Sequence, residues 1–141
     1  MNAALDELLA AFVARWNAHD AAGFAALFAE DATFTDVVGQ TGTGRAGIAE
    51  MHHYPFTQVQ RLAVLTLNQV LWHRLAPTVA VGIMYWTTTG SQTPTGQPLP
   101  PRNGVLQLVA RQHEQGWQVA SVLNSDLERG PYAAHQSPVI R

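Results

Sequence analysis

Asp36 is the residue whose position most favours chemistry. It lies in a predicted strand over residues 32–38, on the same side of the strand as Phe34 and Val38. Its side chain is therefore expected to face the apolar interior. Burial disfavours the ionised form of a carboxyl group, and such a group suits general acid–base catalysis near neutral pH. The alternative is a carboxylate at the strand end that accepts hydrogen bonds from the backbone of the following glycine-rich turn.

His52 is the second candidate, on the apolar side of a predicted helix. It follows Ile48 by one helical turn, so both side chains are expected to face inward. Imidazole changes its charge near neutral pH, and His52 can therefore act with Asp36 as an acid–base pair in which the carboxylate sets tautomer and orientation. The alternative is a core histidine whose ring is satisfied by internal hydrogen bonds. The sequence leaves both open.

Several other residues are expected to contact a ligand. Asn124 ends the last predicted strand, where its amide can hold a ligand carbonyl, orient a water or cap the following turn. Arg102 ends a proline-rich connection and is either a partner for an anionic ligand at the cavity mouth or a solvated loop residue. Bulky residues predicted to line the cavity walls, or else to pack in the core or a dimer interface, are Trp16, Tyr54, Met84 and Trp86.

Composition excludes several kinds of site and partner. The chain has no cysteine, which excludes disulfides, thiolate metal sites and cysteine nucleophiles. Its net charge of −2 with scattered arginines argues against nucleic-acid binding. Its histidines form no metal-binding motif, so no metal is expected. Acidic Asp6 and Glu7 stand where a signal peptide would be basic, and no apolar run reaches membrane-spanning length, so a cytoplasmic protein without a membrane partner is predicted.

Three predicted helices and one short strand precede a run of four strands. Apolar residues at helical spacing predict a first helix between Leu5 and Trp16, and Asp20 is expected to cap a short second helix. A third helix is expected over about residues 45–54, because Pro55 disfavours helical geometry at the preceding residue. After the strand at 32–38, further strands are predicted over residues 61–73, 79–89, 103–112 and 117–125.

This order of elements predicts an α+β fold. Three N-terminal helices are expected to pack on a curved, mainly antiparallel sheet and form a cone whose interior is the natural ligand cavity. Residues 1–125 are predicted to be a single domain and residues 126–141 an extended tail. Charged residues make up only 13% of the chain, so part of the surface should remain apolar, and we expect a homodimer.

Four motifs, in order, resemble the nuclear transport factor 2-like superfamily, which includes SnoaL-like polyketide cyclases and ketosteroid isomerase. Residues 12–20 and 24–34 resemble its opening, residues 44–48 its Gly-Arg-x-x-Ile helix start, and residues 116–120 its Gly-Trp-x-Val last strand. The likeness covers residues 5–125 and is closest to the SgcJ/EcaC branch of small bacterial proteins. That branch commonly has a histidine and an asparagine where His52 and Asn124 stand.

The resemblance implies a small enzyme but not the steroid mechanism. The catalytic base of ketosteroid isomerase matches Asp36, yet Phe12 stands where its tyrosine would be, and the strand over residues 103–110 has no carboxylic acid. The family implies a SnoaL-like enzyme that binds an apolar or aromatic ligand and uses Asp36, with His52, for isomerisation, cyclisation or dehydration without a cofactor. A non-catalytic ligand-binding or dimerisation module of the same fold is the alternative, so enzymatic activity stays open at this point.

Overall fold

The structure is a computed structural model that describes residues 2–127. The described chain has three helices and a six-stranded sheet with the strand order β2-β1-β6-β5-β4-β3. The helices are α1 (Ala3–Asn17), α2 (Ala21–Ala25) and α3 (Gly44–Thr57), and the strands are β1 (Phe28–Thr35), β2 (Thr41–Thr43), β3 (Val64–Ala76), β4 (Val79–Thr89), β5 (Arg102–His113) and β6 (Gly116–Asp126). The predicted α+β fold, with helices packed on a mainly antiparallel sheet, is confirmed.

The helices form where the apolar spacing predicts them. On α1 the buried side chains are Leu5, Leu8, Leu9 and Phe12, which recur at intervals of three and four residues. The predicted cap of α2 is present, because the Asp20 carboxylate accepts a hydrogen bond of 2.9 Å from the backbone N–H of Gly23. Helix α1 therefore buries one face in the core, and α2 buries Phe24 and Ala25 there.

Strand pairing brings two predicted site residues to the same end of the sheet. Strands β3 to β6 pair antiparallel in chain order, whereas β1 pairs parallel to β6. In that parallel pair Thr35 lies opposite Leu123. Asp36, which directly follows β1, and Asn124, the next residue of β6, consequently come close together at this end of the sheet.

The structure corrects three local predictions. The first strand begins at Phe28 and ends at Thr35, so Asp36 lies just beyond it and starts a turn. The residues that follow, read as a turn, contain the three-residue strand β2, which pairs with β1; this strand is too short for alternation to reveal. Helix α3 runs through Pro55 to Thr57, because proline removes only one hydrogen bond while Phe56, next in the helix, is buried in the core.

The face of the sheet opposite the helices is partly apolar. Across the central strands Leu71 lies opposite Ile83, Ile83 opposite Gln107, and Gln107 opposite Leu123, so the four side chains share one face. Leu71 and Leu123 are exposed in the described chain. We call the surface made by Leu71, Ile83 and Leu123 the outer sheet face.

The end of the chain is only partly described. The predicted tail over residues 126–141 begins with Asp126, which is the last residue of β6, and the remainder beyond Leu127 lies outside the described residues. Among the helices of residues 2–127, none combines the length and apolar character that crossing a membrane requires.

Candidate functional site

A cavity of about 190 Å³ lies between the inner face of the sheet and the helices α1 and α3. Every predicted site residue except Tyr54 lines it. These residues are Trp16, Asp36, His52, Met84, Trp86, Arg102 and Asn124, and most of the remaining wall is apolar, including Phe12, Phe34, Phe56, Leu65, Leu67 and Leu106. The site is thus an apolar chamber with a small number of polar groups at its wall, as in many small-molecule sites.

Asp36 combines the two arrangements that the sequence left open. Its Oδ1 accepts hydrogen bonds from the backbone N–H groups of Val38, at 3.1 Å, and Gln40, at 2.9 Å. Its Oδ2 accepts none from the described residues, and the half-buried side chain lines the cavity. The turn therefore holds the carboxylate in place through one oxygen and leaves the other available.

His52 is buried, with 7% of its surface exposed. Its Nδ1 lies 2.8 Å from the carbonyl oxygen of Ile48. A carbonyl only accepts hydrogen bonds, so Nδ1 carries the proton and Nε2 of the neutral ring carries the free lone pair. The aromatic rings of Phe24 and Phe34 pack against the imidazole at centroid distances of 4.8 and 4.6 Å.

Burial also determines the charge of His52. Desolvation lowers the pKa of the imidazole and outweighs the Ile48 carbonyl and the negative charge of Asp36, both of which raise it. His52 is therefore neutral at neutral pH. Its Nε2 has no hydrogen-bond partner within residues 2–127. Every unpartnered side-chain nitrogen or oxygen of non-exposed residues in that range keeps some accessible surface, so Nε2 is accessible as well. Since His52 lines the cavity, Nε2 is reached from that space.

One expectation about this pair is corrected. No hydrogen bond or ion pair joins His52 to Asp36 in the described chain, and Asp36 acts on the ring through its charge alone. The sequence suggested that the carboxylate would set the tautomer. The carbonyl of Ile48 does so instead, because a helical histidine reaches the carbonyl one turn earlier.

Asn124 lies near the end of β6 and contacts the side chain of Trp86. The indole Nε1–H donates a hydrogen bond of 2.8 Å to Oδ1 of Asn124. The side chain is half-buried and lines the cavity. Its amide is thus held by a residue of β4, across the intervening strand β5, and is a candidate group for binding a ligand.

Arg102 lines the cavity but has partners of its own. Its Nη2 donates a hydrogen bond of 2.7 Å to Asp126, and its guanidinium lies 5.7 Å from the centre of the Trp86 ring. Much of its positive charge is therefore offset by a neighbouring carboxylate, which weakens the expectation of an anionic ligand at this point.

Tyr54 does not line the cavity, which corrects its predicted position. Its side chain is 54% exposed and lies in an adjoining surface cleft with Glu50 and Thr43, which shares Asp36 and Pro55 with the cavity. The reason is helical geometry, because two residues turn the chain by about 200° and so place Tyr54 roughly opposite His52 on α3.

Two polar residues of the cavity wall were missed. Thr88 is 3% exposed, and its hydroxyl has no hydrogen-bond partner among the described residues. Gln60 accepts a hydrogen bond of 2.7 Å from the hydroxyl of Ser91. Thr88 has the same strand parity as Met84 and Trp86, a signal that would have found it, whereas Gln60 lies in a connection without periodicity. Among residues 2–127, no group of three or more His, Asp or Glu side chains is placed to hold a metal ion.

A family comparison assigns a domain type to most of the chain. The model of the SnoaL-like domain matches residues 9–106, which include the second half of α1, the turn after β1, α3 and most of the cavity wall. No curated protein matches the chain significantly.

Solved structures share the whole fold. An uncharacterized protein with a cystatin-like fold from Caulobacter vibrioides is 25% identical, with a TM-score of 0.83 over 94% of this chain and 92% of that chain. A ketosteroid isomerase-like protein from Erwinia carotovora atroseptica is 17% identical, with a TM-score of 0.73 over 89% of this chain and 95% of that one. A protein with a cystatin-like fold from Novosphingobium aromaticivorans, described as NTF2-like, is 20% identical, with a TM-score of 0.71 over 90% and 82% of the two chains.

Proposed function

This chain belongs to the SnoaL-like domain family, within the nuclear transport factor 2-like superfamily that its motifs predicted, and we propose that it is a small-molecule enzyme that moves a proton on an apolar ligand. The observation that carries the proposal is His52. A neutral imidazole with an available Nε2 at the wall of a mainly apolar cavity is a suitable base for a proton of a bound ligand.

The proposed step is abstraction of a proton next to a carbonyl group. Nε2 of His52 takes the proton as the C–H bond breaks, the C–H electron pair forms the new C=C bond, and the π pair of the C=O bond moves to the oxygen, which becomes an enolate oxygen. In a β,γ-unsaturated ligand, return of the same proton from Nε2 to the far carbon of the conjugated dienolate gives an isomerisation. In a ligand with a second carbonyl, the enolate carbon attacks it to form a C–C bond, and the alkoxide that results takes the proton back from the imidazolium, which completes an aldol-type cyclisation. Neither route needs a further reactant.

Asp36 is proposed to support this step by its charge. Its negative charge raises the pKa of the His52 ring, so it favours the imidazolium that forms when the proton is taken. Two turn amides hold the carboxylate in position, and the reaction then needs no rearrangement of the site to stabilise the new charge.

The alternative proposal is a binding module that holds an apolar ligand without converting it. The observation that favours it is Phe12, a buried side chain of the cavity wall at the position where ketosteroid isomerase has a hydrogen-bonding tyrosine. A module of this kind needs the cavity but no base, and it predicts that changes at His52 alter ligand affinity only.

Hydrogen–deuterium exchange separates the two proposals without knowledge of the natural substrate. Acetophenone, a small aromatic ketone, is incubated with the protein in D₂O, and loss of its methyl proton signal is followed by NMR. We expect exchange that is lost in His52→Gln and kept in His53→Gln, because His53 is an exposed neighbour outside the cavity. Equal exchange in the wild type and His52→Gln would overturn the enzyme proposal.

We also propose that two copies of the chain associate through the outer sheet face. Exposed Leu71 and Leu123 lie on this face with half-buried Ile83, and Gln107 is the one polar side chain in the row that joins them, while the chain carries little charge with which to solvate an apolar face. In antiparallel sheets of this kind one face often does not pack on the core and contacts water or another chain. An apolar face favours contact with another chain.

A further inference from the structure

The orientation of the Asn124 amide follows from its partners. An amide side chain can usually be turned either way, but the indole N–H of Trp86 is a donor only and so must meet the oxygen. The backbone N–H of Ser125 also donates to Oδ1, at 3.0 Å. With its oxygen used by two donors, Asn124 presents its NH₂ group elsewhere, and this group has no partner in the described chain.

The NH₂ group of Asn124 belongs to a side chain of the cavity wall. No side-chain nitrogen of residues 2–127 is both sealed from solvent and unpartnered, and Asn124 is a half-buried residue of the cavity wall. An unpartnered donor at the wall of a mainly apolar chamber is a group to which a ligand oxygen can bind with a specific orientation.

Trp86 is held firmly enough to orient this amide. The residue opposite it on β5 is Gly104, where an added Cβ would overlap Cζ2 of the indole. The guanidinium of Arg102 lies over the same ring and is itself anchored to Asp126. Gly104 leaves room for the indole and the guanidinium of Arg102 lies over its face, so both neighbours favour the orientation in which Nε1–H meets Asn124.

Donor and acceptor groups are both present in one small chamber. Asn124 supplies N–H donors, whereas the available atoms of His52 and Asp36 are acceptors. A ligand that pairs with the donors of Asn124 and with the acceptors of His52 and Asp36 has an acceptor oxygen and an acidic hydrogen. An enolisable carbonyl compound has both. The volume limits its size, because an apolar cavity of about 150 Å³ holds one benzene ring and this one measures about 190 Å³.

We propose that the ligand is a single-ring carbonyl compound whose carbonyl oxygen binds the NH₂ group of Asn124, and that Trp86 is the positioning residue that turns this group toward it. The binding of the carbonyl group to Asn124 does not depend on catalysis. Only the role of this contact in a reaction rests on the function proposed above. In the reaction the same N–H group meets the oxygen on which negative charge develops.

The test compares two ligands of the same shape. Acetophenone and α-methylstyrene differ in having C=O or C=CH₂, and their dissociation constants are measured by NMR titration. The ratio of the two constants isolates the contribution of the oxygen. We expect the Asn124→Asp variant, which keeps an acceptor for Trp86 but loses the donor, to shift this ratio against acetophenone by about fivefold, the value of one neutral hydrogen bond.

Trp86→Phe tests the positioning role separately. It removes the indole N–H and keeps an aromatic ring, so we expect the same shift of the ratio. A merely structural role would weaken both ligands alike and leave the ratio unchanged. If Trp86→Phe fails to fold, the wild type still decides, because acetophenone should shift the side-chain NH₂ resonances of Asn124 and α-methylstyrene should not.

Two results would overturn the inference. One is an unchanged ratio in both variants, and the other is a fused-ring ketone such as 1-acetonaphthone binding as tightly as acetophenone. Absence of hydrogen–deuterium exchange together with the expected ratios would refute the proposed reaction and leave the carbonyl site standing, so the two failures are distinguishable.

Discussion

Nδ1 of His52 donates a hydrogen bond of 2.8 Å to the carbonyl oxygen of Ile48, one turn earlier on α3. This bond decides which ring nitrogen can act as a base, because it occupies Nδ1 and leaves Nε2 to the cavity. It also makes the histidine independent of Asp36 for its orientation. The carboxylate is then free to influence the ring by charge alone.

The buried neutral His52 predicts a loss of stability in mild acid. Its pKa is lowered below the ordinary 6.5 in the folded protein, so the unfolded chain binds the proton more readily. The stability that the fold gains from a neutral His52 is fully present above pH 6.5, and it is lost as the pH falls toward the lowered pKa of the folded protein. Urea unfolding at pH 7.5 and 5.0 should show a smaller loss for His52→Gln than for the wild type. His53→Gln is the control, and an equal pH dependence in all three proteins would contradict the prediction.

Asp36→Asn is expected to remove the charge and keep the turn. The amide oxygen still accepts from the backbone of Val38 and Gln40, so the melting temperature should change little. NMR titration should show a further decrease in the pKa of His52, and hydrogen–deuterium exchange of acetophenone should fall at least tenfold.

Asp31→Asn is the matched control for that experiment. Asp31 pairs with Arg111 in a different cleft, and its charge is not among those that act on His52. A His52 titration that stays the same in Asp36→Asn, or that changes equally in Asp31→Asn, would show that Asp36 has no special influence on the ring.

Gly104→Ala is expected to destabilise the fold. Its added methyl group would overlap the Trp86 ring and lie 2.6 Å from the carbonyl oxygen of Ser125. Overpacking of this kind costs about 1–3 kcal/mol of unfolding free energy, measured by urea denaturation. Gly47→Ala is the control, because a methyl group at Gly47 meets nothing closer than 3.8 Å and a helix gains from alanine. Equal stability of the two variants would mean that the Trp86 ring moves aside easily.

Leu123→Glu is expected to dissociate the proposed dimer. Two buried charges would face each other or the partner's apolar side chains across the outer sheet face. Sedimentation velocity should show a dimer for the wild type and a monomer for the variant. Leu62→Glu, which changes an exposed leucine outside the sheet, should remain dimeric. A monomeric wild type, or dissociation by Leu62→Glu alone, would reject this interface.

The sequence alone determined the features that depend on local periodicity. The spacing of Leu5, Leu8 and Phe12 predicted which side of α1 is buried, and the parity of Met84 and Trp86 predicted that both lie on one side of β4, although not which element that side faces. These predictions hold because a side chain's direction in a helix or strand follows from its number along the element. The same reasoning placed His52 inward and, had it been applied to residue 54, would have placed Tyr54 outward.

Only the tertiary structure decided how the polar groups are joined. The parallel pairing of β1 with β6 brings Asp36 beside Asn124 across 88 positions of sequence, and the hydrogen bond from Trp86 to Asn124 links two strands that are not adjacent in the sheet. The extent of α3 beyond Pro55 likewise depends on the burial of Phe56. Such contacts form between segments distant along the chain, where no local pattern records strand register or the partner of a side chain. The sequence therefore indicated which residues face the cavity, and the packing of the sheet determined which of their atoms are available for chemistry.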